Sequence, residues 1–169
     1  RRRTVLTEMR RKVERLEEQF NSLVEDGVGI SPINWRSPAQ VKTLLYKVMG
    51  LPEQKKRNAN GIYAPSVDRD CLENLQQYFI AEPIINHLLL LRDLGKSIGF
   101  LETATDPDGR MRSDLKIAGT VTGRFASSVT DFGTGTNLQN VTESLRSVFV
   151  ADPGYKLANL DLEQGDSRN

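Results

Sequence analysis

The sequence predicts an α+β chain in which helices come first and antiparallel strands follow. Three observations lead there. Apolar residues in the first hundred positions recur every third or fourth residue, the spacing of one helix face. The tetrapeptide Asp106-Pro107-Asp108-Gly109 then marks a turn, and beyond it the apolar pattern becomes alternating and short, as in strands.

Leu6, Met9, Val13, Leu16, Phe20 and Leu23 form a single stripe, so a long amphipathic helix is expected, closed by Gly27 and Gly29. Such a stripe suits packing within its own domain better than a coiled coil with another chain. Ser37-Pro38-Ala39-Gln40 reads as a capped helix start with Pro at the first helical position. Val41, Leu44, Leu45 and Val48 supply its apolar face before Gly50 and Pro52. Glu53 to Ser66 lacks periodicity and holds Lys55-Lys56-Arg57, which reads as an exposed basic loop. Two more helices are expected, near Arg69 to Phe79 and near Pro83 to Ile98. Beyond the turn, strands are expected at Arg110 to Ile117, at Ser147 to Val150 and at Tyr155 to Leu162, the last after the turn Asp152-Pro153-Gly154.

Composition excludes some classes. The most apolar run, Ile84 to Leu91, is far shorter than the roughly 20 residues of a membrane-spanning helix and is interrupted by Asn86 and His87. The single Cys71 has no partner for an internal disulfide, and beside Leu72 and Leu75 it reads as a small buried hydrophobe in a reducing compartment. His87 has no second His or Cys cluster to share a metal and reads as structural. The net charge of +1 conceals an asymmetry, because residues 1–60 carry 13 Lys and Arg against 7 Asp and Glu. Such a bias can steer a chain toward a polyanion, and a solvated helix face explains the same charge run equally well. The sequence opens on Arg1-Arg2-Arg3 without Met and reads as a piece of a longer chain, incomplete at both ends.

Side chains suited to chemistry gather in the last third. Along Lys156 to Leu162, Asp161 faces opposite to Ala158, Leu160 and Leu162, with Glu163, Gln164 and Asp166 just beyond. Two readings stay open: carboxylates of this kind hold Mg²⁺, and Asp161-Leu162-Glu163-Gln164 also fits a helix capping box, the simpler reading from spacing alone. Thr122-Gly123-Arg124 with Ser127 and Ser128 offers a guanidinium, hydroxyls and a flexible Gly. Asn137, Gln139 and Asn140 place three amides around Leu138, expected to be buried, and amides donate to the acceptors that every base pair shows in the minor groove.

These residues carry a resemblance. Thr120-Val121-Thr122-Gly123-Arg124-Phe125-Ala126-Ser127-Ser128 is similar to the T-x-T-G-R-x-S-S segment of the family A DNA polymerases, the bacterial DNA polymerase I family, with a phage-like flavour. Asn137-Leu138-Gln139-Asn140 resembles its N-L-Q-N, and Pro153-Gly154-Tyr155 through Asp161-Leu162-Glu163-Gln164 resembles the approach to motif A, D-Y-S-Q-I-E-L-R. Upstream, Arg36 to Val41 with Met49-Gly50-Leu51-Pro52, then Glu82-Pro83-Ile84 with Arg92-Asp93-Leu94, resemble the thumb of the same family.

The resemblance implies a helical thumb over residues 1–105 and the first antiparallel part of a polymerase palm over 106–169. It implies template-directed, two-metal nucleotidyl transfer, with Asp161 and the backbone carbonyl of Leu162 holding two Mg²⁺ ions. Arg124, Thr122, Ser127, Ser128, Asn137, Gln139 and Asn140 are then expected at the minor groove near the primer terminus. Lys96 and the Lys55, Lys56 and Arg57 loop are expected on the DNA backbone. The implied partners are primer–template DNA and deoxynucleoside triphosphates, in the cytoplasm of a bacterial or phage-infected cell. Asp166 aligns with the glutamate that gates the sugar, one methylene shorter. Leu162 and Glu163 replace the usual Tyr and Ser, and Val129 to Thr136 lengthens the loop before Asn137. Motifs B and C lie outside these residues, so this piece is expected to be inactive by itself. The alternative is a non-catalytic duplex-DNA-binding module from a split or decayed polymerase gene.

Overall fold

The structure, a computed structural model, describes residues 1–58 and 61–158. It has the expected α+β character, and the chain divides into two compact units, Arg2–Ala104 and a second beginning at Thr105.

In the first unit, helix α1 (Arg2–Val28) packs along α4 (Glu82–Glu102). Val13, Phe20 and Val24 are the buried residues of α1, with Leu16 and Leu23 half-buried beside them. The predicted stripe ended on Leu23. A straight helix of 3.6 residues per turn drifts against a strict seven-residue repeat, which brings Val24 under the neighbouring helix by the last turns. Gly27 lies inside α1, and Gly29 ends it at φ +72°, its N–H bonded to the Glu25 carbonyl at 2.8 Å. Arg2 reaches from the start of α1 to the carbonyls of Leu101 (2.5 Å) and Thr103 (2.6 Å), acceptors that the end of α4 leaves without helical partners.

Helix α2 (Pro38–Lys42) begins as expected, with Ser37 accepting from the Gln40 N–H, but runs directly into a π-helical stretch (Thr43–Val48). There the Met49 N–H reaches the Leu44 carbonyl at 2.9 Å, and the wider turn carries Leu44 and Leu45 into the core. Leu72, Leu75, Ile85, Leu88 and Leu91 complete that core.

Residues 53–66, expected as a loop, contain a hairpin. Strand β1 (Lys55–Arg57) pairs antiparallel with β2 (Tyr63–Pro65), Lys56 opposite Ala64. Three-residue strands exposed on most positions leave no apolar alternation to detect. Asn58 ties the turn by accepting from the Ile62 N–H at 2.9 Å, and Gly61 stands at φ +80°.

Helix α3 (Arg69–Leu75) stops four residues short of the expected end, leaving Phe79 and Ile80 exposed. Asp68 caps it, accepting from the Cys71 N–H at 3.1 Å, and Cys71 is buried as expected. Hydrogen bonds from Cys71 and Lys56 hold the Asp68 carboxyl at about 2, below its ordinary 3.8. A folded-state value below the unfolded one stabilises at neutral pH, and the contribution vanishes as pH falls from about 4 through about 2. Asp68→Asn keeps a good cap but removes the charge; thermal melts at pH 7 and pH 3 are expected to lie closer together for that variant than for the wild type.

No described helix is long and apolar enough to cross a membrane. His87 Nδ1 lies 2.9 Å from the Pro83 carbonyl oxygen, a structural contact within α4.

In the second unit the predicted strand over Arg110 to Ile117 shortens to β3 (Asp114–Lys116), paired antiparallel with β4 (Ala126–Ser128), which sequence reading left as a loop. The turns at Asp106–Gly109 and Asp152–Tyr155 form as expected, closed by N–H to carbonyl bonds of 2.8 and 2.9 Å. Ser147 to Val150 is not a strand. A short helix, α5 (Glu143–Arg146), precedes it, Leu145 is buried, and the Val148 and Phe149 amides bond back to Leu145 and Arg146. Those local bonds occupy the groups that a sheet ladder would need. Residues 155–158 hold no strand either, and the rest of that predicted element lies outside the described residues.

Candidate nucleic-acid interface

The two motif-bearing segments of the second unit are hydrogen-bonded to each other. Ser127, 7 % exposed, accepts the Leu138 N–H at 3.1 Å, and Gln139 Nε2 donates to the Phe125 carbonyl at 3.1 Å. Asn137 caps the single 3₁₀ turn Leu138–Asn140 by accepting from the Gln139 N–H at 3.0 Å. Leu138 is half-buried rather than buried. Two of the seven predicted minor-groove residues, Ser127 and Gln139, therefore use polar atoms to join the segments, and Asn137 uses its own to cap the turn within one of them. Arg124, Thr122 and Asn140 are exposed beside them, and Ser128 is half-buried.

Thr120, part of the T-x-T-G-R segment but not among the expected site residues, organises the Arg124 turn. Its hydroxyl accepts the Arg124 N–H at 3.0 Å, donates to the Arg124 carbonyl at 3.3 Å, and lies 3.1 Å from the Thr122 hydroxyl. Gly123 takes φ +75°, a backbone that a Cβ strongly disfavours. The only sequence signal for this role is a Thr hydroxyl shortly ahead of the Gly123 turn, the weaker kind of turn residue.

The lengthened loop before Asn137 is anchored rather than loose. Thr134 donates to Asp106, and Arg112 pairs with Asp106 and, through two nitrogens at 2.6 and 3.1 Å, with Asp108. Arg112 is the main reason Asp108 falls to about 2, and Thr134 followed by Arg112 lowers Asp106. Gly135, at φ +75°, lies so close to this segment that a Cβ would stand 1.7 Å from the Arg112 carbonyl oxygen.

In the first unit, Lys96 lines a cleft of about 640 Å³ with Trp35, Arg36, Lys42, Asp68 and Arg92. Arg36 lies over the Trp35 ring at 4.1 Å, an orientation in which the ring face attracts the cation. Gly95 makes room for that ring, since a Cβ there would come within 3.0 Å of it. Arg92 donates to the Val67 carbonyl, and burial lowers its pKa. Four cations against one carboxylate make the cleft attractive to phosphate.

The three basic residues of β1 differ. Lys56 is paired with Asp68 and, at 3.0 Å, with Asp70. Arg57 Nε donates to the Gly61 carbonyl at 3.0 Å, and Lys55 is exposed with no ion pair among the described residues.

Asp161, Leu162 and Asp166 lie outside the described residues. Among the described residues, no group of three or more His, Cys, Asp or Glu side chains is arranged to hold a metal ion.

Comparison with known proteins adds a sequence and a structural likeness. Residues 3–168 match the family model of DNA polymerase family A. DNA polymerase I of Treponema pallidum (strain Nichols) is 31% identical over 168 residues, covering 90% of this chain and 16% of the relative. The thermostable DNA polymerase I of Thermus thermophilus is 30% identical over 175 residues, covering 95% of this chain and 19% of the relative. The chain thus spans less than a fifth of these curated relatives. A solved structure, the POL domain of Pol1 from M. smegmatis in complex with DNA primer-template and dNTP, superposes with a TM-score of 0.56 at 25% identity, over 81% of this chain and 23% of that one.

Proposed function

Because the chain belongs to DNA polymerase family A, we propose that it is the thumb and leading palm of a DNA-directed DNA polymerase, working in replication or repair on primer–template DNA and deoxynucleoside triphosphates. The observation that supports this most directly is the hydrogen-bonded pairing of the Arg124 turn with the Asn137–Asn140 turn. It gathers a cation, hydroxyls and amides on one surface. Amides and guanidinium groups there meet minor-groove acceptors common to all base pairs, so pair geometry is tested without choosing a base.

In this reading Ser127, Asn137 and Gln139 hold the surface in shape, while Arg124, Thr122, Ser128 and Asn140 meet the primer-terminal region. The cleft around Lys96, together with Lys55 and Arg57, takes backbone phosphates. Phosphate contacts fix register and the groove contacts check fit. Asp161 and the Leu162 carbonyl would hold two Mg²⁺ with a second carboxylate from outside this chain. Bound there, the ions would supply Lewis-acid chemistry at the primer 3′ hydroxyl and positive charge beside the departing pyrophosphate. Asp166 serves as the sugar gate, and the protein acts in the cytoplasm.

The test is primer extension. The natural full-length protein is expected to extend a primed template in Mg²⁺ with the template-encoded nucleotide, and the 169-residue chain alone is expected to extend none. Binding of duplex without extension by the full-length protein would support the non-catalytic module instead.

A further inference from the structure

Side chains alternate between the two faces of a strand, so Lys55 and Arg57 share one face of β1 and Lys56 takes the other. The antiparallel register extends this across the hairpin: Tyr63 stands opposite Arg57, and Ala64 opposite Lys56. Tyr63 is exposed, whereas Ala64 is half-buried. On the Lys56 side the ammonium meets Asp68 and Asp70, one residue before α3 and one residue inside it. Asp68 is itself held, because it caps α3 through the Cys71 N–H.

Resting on the reading that this hairpin meets duplex DNA, we propose that Lys56 is a positioning residue, pinning the hairpin to the start of α3, and that Lys55, Arg57 and Tyr63 form the face that meets the nucleic acid. The three consecutive cations of β1 then divide by strand geometry into two that neutralise phosphate and one that sets the angle at which they are presented. Arg57, tied to the Gly61 carbonyl, is held at the turn, with the Tyr63 ring as its cross-strand neighbour. A cation already shared by two carboxylates releases no counterion when DNA arrives, so it adds nothing to the salt dependence of binding.

Salt dependence distinguishes the two roles. Each phosphate contact contributes about 0.9 to the slope of log affinity against log salt. The experiment measures fluorescence anisotropy of a labelled primer–template duplex with the full-length protein over a salt series. Lys55→Gln is expected to lower the slope by about 0.9. Lys56→Gln is expected to keep the wild-type slope while weakening binding about two- to five-fold, the range of an exposed ion pair. Lys56→Arg, which keeps a cation for both Asp68 and Asp70, is expected to hold the wild-type slope and to bind more tightly than Lys56→Gln.

A slope lowered by about 0.9 in Lys56→Gln would make Lys56 a phosphate contact and overturn the proposal. Unchanged affinity in that variant would make it an idle surface lysine, with the same consequence. A Lys56→Arg variant no tighter than Lys56→Gln would remove the pin, and an unchanged slope in Lys55→Gln would remove the contact face. If the wild-type protein itself binds duplex without salt dependence, the polymerase reading fails instead.

Discussion

Asp161→Ala in the full-length protein is expected to lower primer extension by about 10³-fold or more, while duplex affinity stays equal to the wild type or rises slightly. The reasoning takes two steps. A carboxylate that holds catalytic Mg²⁺ supports several kcal/mol of transition-state charge stabilisation, and about 4 kcal/mol corresponds to that factor. Duplex affinity comes from cations that neutralise phosphates, and removing an anion from a surface that approaches a polyanion does not weaken it. Primer extension and anisotropy on the same preparation check both halves. Extension retained within ten-fold would remove Asp161 from the catalytic assignment and return it to the helix-cap reading that its spacing also allows.

The second large effect is on stability. Phe20→Ala is expected to destabilise the first unit by about 3–5 kcal/mol, a large part of the roughly 5–15 kcal/mol that holds an ordinary domain together. Phe20 is wholly buried on α1, in the cluster that contains Val24, Leu44, Leu72 and Leu88. Truncation there loses the transfer energy of the ring and leaves a cavity in that shared core. Denaturant unfolding measures the loss. Leu90→Ala is the control, since Leu90 is 50% exposed on α4 and its truncation is expected to change stability by less than about 0.5 kcal/mol.

These variants probe opposite ends of what the sequence made legible. The stripe from Leu6 to Leu23, the Ser37-Pro38 start and the capped turns were readable because a helix face, an N-cap and a Gly at positive φ are set by residues close in sequence. The ordered T-G-R, N-L-Q-N and P-G-Y segments pointed to the polymerase family, which the match over residues 3–168 supports. The β1–β2 hairpin was missed because its strands are short and largely exposed, leaving no apolar face to alternate. The strand expected at Ser147 to Val150 failed for the reverse reason: four suitable residues occur there, but their backbone bonds close a helical turn.

Which polar side chain does what was not available from composition or spacing. Ser127 and Ser128 are adjacent and chemically identical, yet one is buried against the Leu138 amide and the other is only half-buried. Lys55, Lys56 and Arg57 read as one basic run, and only the antiparallel register sends Lys56 to Asp68 and Asp70 at the start of α3. The sequence by itself determined the long helices, the Ser37 cap, the order of the motifs and the family. Tertiary structure alone decided which side chains brace the surface and which stand exposed on it. Helical periodicity and capping are satisfied within a few residues, whereas a hydroxyl, amide or ammonium takes its role from the partner that folding brings beside it.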